Sequence, residues 1–187
     1  MAQIPSSNWP LSRFVSRLAS AEPIPGGGSA AALAGSLGCG LGRMVCRILL
    51  SRSRTLASAK VQIRRHLTEL ERCSRELEQL IAEDARVYQQ LVRAFKSQRG
   101  IAGARRRATE TPIRICEAAA RGAEVMKDLS PLAGSVLSSD LKAGRALLKG
   151  AFGAAFVTAQ INLQGKELPA NTALFRRRLT QLRKRIG

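Results

Sequence analysis

Residues 23–46 run PIPGGGSAAALAGSLGCGLGRMVC, with no charged side chain between Glu22 and Arg43. Proline fixes its own φ and pushes the residue before it towards extended backbone, so Pro23 and Pro25 keep the approach out of a helix. Gly26, Gly27 and Gly28 open backbone conformations closed to other residues and let a ligand or another chain come close. Ser29 suits an N-cap, and the composition of 30–50 predicts a helix. Such a helix start offers unpaired N–H groups at the positive end of the dipole, which suits an anionic or carbonyl-bearing ligand. A tight turn that needs glycine on steric grounds explains the same residues without a ligand, and both readings stand.

The helix is composed for close contact. Ala34, Gly38 and Gly42 recur every four residues, as do Ala31, Gly35 and Cys39 on the next row. Rows of small residues let helix backbones approach closely. Each helical glycine costs roughly 1 kcal/mol relative to alanine, so these need a packing return. The expectation is an all-α bundle around this central small-residue helix, with enough close-packing surface for a dimer. The stretch is also near the length of a membrane span. It is glycine-rich and closes on Arg43 and Arg47, so no membrane is expected.

Further along, Leu67, Leu70, Ser74, Leu77, Ile81, Asp84, Tyr88, Leu91 and Phe95 follow one another at steps of three and four. That is one helix face sustained over about four heptads. An unpaired carboxylate on such a face is costly, so Asp84 is expected to be paired, solvated in a pocket, or protonated. It is either a functional acid or the ion-pair partner of an arginine on a neighbouring helix. The pattern breaks at Gly100 and Gly103, resumes over 113–129 and stops at Ser130-Pro131. It restarts after Asp140, which suits an N-cap for a helix over 141–163. Asn162 falls on the apolar face of that helix, where its amide needs partners.

At 187 residues the chain is long enough for one domain with its own core. It carries 31 Lys plus Arg against 13 Asp plus Glu, a net charge of +18. That excess favours anionic partners, nucleic acid among them. Aromatic residues make up only 4%, too few for a base-stacking platform. Cys39, Cys46, Cys73 and Cys116 lack CxxC spacing and read as buried free thiols. His66 is the only histidine, which leaves no metal-ligand set and no Ser-His-Asp triad. Leu11, Phe14, Val15 and Leu18 share a helical face, and the serines and arginines ahead of Glu22 faintly resemble a mitochondrial transit peptide. No secretory signal is visible, so the expected location is cytoplasmic. Residues 174–187 form a basic C-terminal arm, either an amphipathic helix or a loose tail.

Residues 23–45 fit PxPGGGSAAALAGxLGxxLxxMV, which resembles the opening signature of the cyclodeaminase/cyclohydrolase family. That family includes the cyclodeaminase half of formiminotransferase-cyclodeaminase and the stand-alone methenyltetrahydrofolate cyclohydrolases. The likeness resumes at 83–88, 108–116, 139–140 and 161–163, and it makes residues 11–19 the family's first helix. It implies a helical homodimer or larger assembly that takes a reduced folate, polyglutamylated or not, and holds no permanent cofactor. The implied reaction is hydrolysis of 5,10-methenyltetrahydrofolate to 10-formyltetrahydrofolate, or cyclodeamination of 5-formiminotetrahydrofolate with release of ammonia. Under that resemblance Asp84 and Asp140 are the candidate catalytic carboxylates. Gly26, Gly27, Gly28, Ser29 and Asn162 would hold polar edges of the folate, and Arg52 would meet its glutamate carboxylates.

The chain also departs from the pattern. Ile48-Leu49-Leu50-Ser51-Arg52 stands where the family has Leu-Thr-x-Gly-Lys, and Thr158 stands where it has the first asparagine of Asn-Val-x-Ile-Asn. The passage 96–107 is shorter than the family's. A non-catalytic basic relative, binding RNA or serving assembly, is the alternative that these departures and the charge imply.

Overall fold

The computed structural model describes residues 3–53, 55–164 and 171–186. They form five helices: α1 (Leu11–Leu18), α2 (Gly27–Ser51), α3 (Ala57–Ser97), α4 (Ile101–Asn162) and α5 (Thr172–Ile186), with no strand among the described residues. α2 packs against both α3 and α4, which pack on each other, and α5 lies on α4. The glycine-rich helix is therefore the centre of the bundle, as its composition implies.

Its small residues are used within the chain. A Cβ on Gly38 would sit 2.8 Å from the Gly144 carbonyl oxygen and 2.9 Å from Leu148 Cγ. One on Gly42 would sit 2.7 Å from Met126 Cε and 2.8 Å from Leu70 Cδ1. This is the return on the helical glycines: α3 and α4 close onto the α2 backbone. By length and composition α2 could cross a membrane. In the bundle its Ala32, Cys39, Val45, Cys46 and Leu49 are buried, and Leu37 and Met44 face outwards.

The seam on α3 holds for its first half, where Leu70, Ser74, Leu77 and Ile81 are buried. Beyond Asp84 it turns. Val87 and Ala94 are buried, whereas Tyr88 and Phe95 are 42% and 37% exposed. A heptad pattern slips by about 20° per repeat on a straight helix, so a long seam rotates off the core unless the helices supercoil.

α4 is two helical arms joined across a kink at Gly134, between the stop expected at Ser130-Pro131 and the restart expected after Asp140. The chain turns at Gln98 (φ 53) and Gly100 (φ 65), and Gly103 already lies inside α4. Pro112 and Pro131 are both inside the helix, and only Gly134 leaves helical geometry, at φ 65 and ψ −177. Each proline removes one ladder bond. The chain doubles back at Gly134, and the second arm begins at once and packs beside the first, where Cys116 Sγ meets the Phe152 carbonyl oxygen at 3.6 Å. Asp140 is consequently an interior helix residue and caps nothing.

The basic C-terminal arm is a docked helix, with Phe175, Leu179 and Leu182 buried. Arg178 and Arg185 on α5 reach Glu117 and Glu124 on α4, each at 2.7 Å. Across the other interface of α4, Arg114 and Arg121 reach Glu83 and Glu76 on α3 at 3.2 and 2.5 Å. Partners on each helix lie seven residues apart, so these part-exposed pairs set register more than they add stability. All four cysteines are free and buried.

Candidate active site

The start of α2 is not capped in the expected way. Its first residue is Gly27 and its N-cap is Gly26, with no side-chain cap. Ser29 is the third helical residue and is fully buried. The cap comes from another helix: the Ser29 N–H donates to Asp84 Oδ2 at 2.8 Å. The Ser29 hydroxyl lies 2.9 Å from the same oxygen and 3.0 Å from the Ile81 carbonyl oxygen. A carboxylate on α3 thus fills the role that a cap side chain normally has on its own helix, at the positive end of the dipole.

That approach requires glycine at 28. A Cβ there would stand 2.0 Å from Asp84 Oδ1. Oδ1 itself has no hydrogen-bond partner among the described residues, and Asp84 lines a cavity of about 260 Å³. Burial pushes the Asp84 carboxyl above the usual carboxylate range, while the two Ser29 hydrogen bonds pull the other way. Among the described residues no arginine or lysine pairs with it, so the ion-pair alternative is not what this position holds.

The opposite wall comes from α4. Pro112 has no N–H, which frees the carbonyl of Ala108 four residues earlier. Asn162, at the far end of the same helix, donates its Nδ2–H to that carbonyl at 2.8 Å. The amide predicted to need partners has one, and it ties the two ends of α4 together beside the cavity. Thr158, one turn before Asn162, donates its hydroxyl to the Ala154 carbonyl at 3.1 Å and faces Gly27. The cavity is therefore bounded by residues 26–28 of the α2 start, by Asp84, Tyr88 and Leu91 of α3, and by Ala108, Thr158 and Asn162 of α4.

Residues 10–178 match the family described as formiminotransferase-cyclodeaminase. The chain belongs to that family. Two relatives of the formiminotransferase-cyclodeaminase family give the comparison scale. A methenyltetrahydrofolate cyclohydrolase from Methylorubrum extorquens is 29% identical over 122 residues, 59% of this chain and 58% of that protein. A formimidoyltransferase-cyclodeaminase from Sus scrofa is 28% identical over 185 residues, 92% of this chain and 34% of that protein. The matches thus span about half and about a third of those relatives. A solved structure of formiminotetrahydrofolate cyclodeaminase from Thermotoga maritima superposes with a TM-score of 0.88 at 22% identity, covering 96% of this chain and 90% of that one. At that identity the likeness establishes the fold alone.

Within this family member, the structure brings together Gly26, Gly27, Gly28, Asp84 and Asn162, with Ser29 buried directly behind Asp84. It does not bring Asp140 or Arg52 there. Asp140 is about 27 Å along α4 from Thr158, and Arg52 closes α2 about 37 Å from its start. Tyr88, Leu91 and Ala108 join the site without having been singled out for it. Tyr88 and Leu91 were legible as seam members, and Pro112 marked the Ala108 carbonyl as one in need of a donor. Among the described residues no three His, Cys, Asp or Glu side chains come together as a metal site.

Proposed function

We infer that this chain is a reduced-folate enzyme that hydrolyses 5,10-methenyltetrahydrofolate to 10-formyltetrahydrofolate or cyclodeaminates 5-formiminotetrahydrofolate. The observation that carries the reading is Asp84: a carboxyl held by one oxygen, free at the other, biased towards protonation by burial, and facing a glycine-walled cavity in a member of this family. Such a group is placed to take a proton from one atom of a bound substrate and return it to another.

In the hydrolysis, water adds to the methenyl carbon and gives a proton to Asp84. As the tetrahedral adduct collapses, its C–N5 bond breaks, Asp84 returns the proton to N5, and the adduct's hydroxyl loses its own proton to solvent as it becomes the formyl oxygen. In the cyclodeamination, N10 attacks the carbon of the protonated formimino group and gives its proton to Asp84, which passes it to the amino nitrogen as that C–N bond breaks and ammonia leaves. Ser29 serves both protonation states. Its hydroxyl donates to ionised Asp84, or turns to the Ile81 carbonyl and accepts from the protonated acid. The backbone of residues 26–28 lets the flat ring approach, and Asn162 and Thr158 face it from the other side. Self-association belongs to the same reading, with Leu37 and Met44 of α2 and Val157 and Ile161 of α4 as exposed apolar side chains.

The test is the loss of methenyltetrahydrofolate absorbance and the release of ammonia from the formimino compound, each against buffer. Acceleration of either supports the reading. Acceleration of neither, with tight salt-sensitive RNA binding, would replace it by the basic binding protein.

A further inference from the structure

Two neighbouring rows on the bundle surface carry no charge. On α2, Ala30, Leu33, Leu37, Gly40 and Met44 follow at steps of three and four, and so do Leu147, Gly150, Ala154, Val157 and Ile161 on the second arm of α4. The rows run side by side, since Gly38 meets Gly144 and Gly27 meets Thr158. Leu37, Met44, Val157 and Ile161 are exposed, so the described helices leave this double seam open. Rows of this spacing pack against other helices. On a chain of net charge +18, a second copy meets uncharged rows without bringing like charges together.

The charges of α2 give the direction of that pairing. Arg43, Arg47 and Arg52 lie towards its end, and parallel copies would set each against itself. An antiparallel pair sets them against the partner's uncharged start. A two-fold axis midway between Leu37 and Met44, the exposed large side chains of α2, puts each beside the partner's other one. A small residue between them, Gly40 or an alanine in its place, lets the backbones approach. The same operation sets residue 52 opposite residue 29, about 17 Å from the axis. At a shallow crossing near 20° the two helix axes are still only about 11 Å apart there. Arg52 follows the last turn of α2, and its side chain has no hydrogen-bond or ion-pair partner among the described residues. The Asp84 cavity, in turn, has no arginine or lysine in its lining.

Resting on the reaction and the self-association inferred above, we propose that the site is completed across this interface: Arg52 of the partner subunit reaches the Gly27–Thr158 wall of the Asp84 cavity and binds an oxygen of the substrate there. A guanidinium offers that oxygen two charge-assisted N–H donors in a fixed fork. The exposed Val157 and Ile161 stand beside Thr158 and Asn162 of the cavity lining, so the open seam and the cavity adjoin. Each dimer then holds two sites, and each site draws Asp84 from one chain and Arg52 from the other.

The experiment is complementation between two impaired variants, Asp84→Asn and Arg52→Ala, made separately and then co-expressed in equal amounts. Arg52→Ala alone is expected to melt as wild type does and to lose turnover about tenfold or more, the scale of a hydrogen bond to a charged group. In the mixture about half of the dimers are mixed, and each of these has one site with both groups intact, so turnover should return to about a quarter of wild type. If Arg52 acts within its own chain, or only through folding, no site regains both groups. Turnover at no more than the mean of the two variants therefore overturns the proposal, as does wild-type turnover by Arg52→Ala, and either result leaves the inferred reaction standing. If wild type turns over neither substrate, the reaction fails and the pairing is read by oxidation. Leu37→Cys and Met44→Cys chains, expressed together, are expected to give a mixed disulfide dimer, since only facing positions come within bonding distance. That product supports the interface that delivers Arg52 although the reaction fails, and its absence overturns both.

Discussion

Asp84 accepts the N–H and the hydroxyl of Ser29 on a single oxygen, at 2.8 and 2.9 Å. The bonds join the middle of α3 to the first turn of α2 and leave the other carboxylate oxygen towards the cavity. One group thus caps a helix and faces the site, and the two duties can be tested apart.

The glycine at 28 is expected to be irreplaceable. Gly28→Ala would place a methyl 2.0 Å from Asp84 Oδ1. The overlap is with a restrained carboxylate, so the variant should lose about 1–3 kcal/mol and most of its turnover. Gly40→Ala is the control, because nothing lies within 4 Å of the added Cβ. It should gain up to about 1 kcal/mol from helix propensity with turnover unchanged. Chemical denaturation of both variants checks this.

Asn162 and Pro112 should be energetically coupled through Ala108. Asn162→Ala leaves the Ala108 carbonyl without its donor and should cost about 1–3 kcal/mol. In a Pro112→Ala background the restored backbone N–H can take that carbonyl, and the same substitution should cost clearly less. A double-mutant cycle reads the difference directly, and additivity of the two changes would mean that the proline and the asparagine act separately.

The fold was legible where one force acted alone. Consecutive glycines in an uncharged apolar run mean backbone contact, and α2 is central. Where two forces competed, local cues misled. Ser29 has the chemistry of a cap, but its hydroxyl is taken by Asp84 and Ile81, and the helix starts two residues earlier. Ser130-Pro131 and Asp140 have the chemistry of a stop and a start, and they bracket the kink at Gly134, but each arm runs a few residues past its local cue. At the site, Asp84 was legible because helix periodicity directs it inwards. Asp140 and Arg52 were named through resemblance, and no local spacing relates them to the cavity. Tyr88 escaped because its role depends on the rotation of the seam, which is a property of the whole helix length.

Stability should depend on pH through Asp84 in a stated direction. Its folded pKa is raised by burial. Below the unfolded value, about 3.9, both states carry the proton and the contribution is fully present. As pH rises through the folded pKa the buried acid ionises at a cost, and stability is lost. Melting temperatures of wild type and Asp84→Asn across this range should diverge in favour of the variant as pH rises. Divergence in the opposite sense would mean that the site stabilises the anion.

The thiols should be silent in the native protein. Burial pushes Cys39, Cys46 and Cys116 up to about 12 and raises Cys73 as well. Alkylation at neutral pH followed by mass spectrometry should label none of the four while folded and all four after denaturation, since the thiolate is the reactive species.

The most direct measurement compares wild type and Asp84→Asn for turnover of methenyltetrahydrofolate and formiminotetrahydrofolate, with melting followed on the same preparations. Asparagine keeps an oxygen for the Ser29 N–H and removes the exchangeable carboxyl proton. The expected result is a folded variant, melting no lower than wild type at neutral pH, with turnover reduced about a hundredfold or more. A folded variant that turns over at the wild-type rate would contradict the assignment of Asp84 as the group that moves the proton.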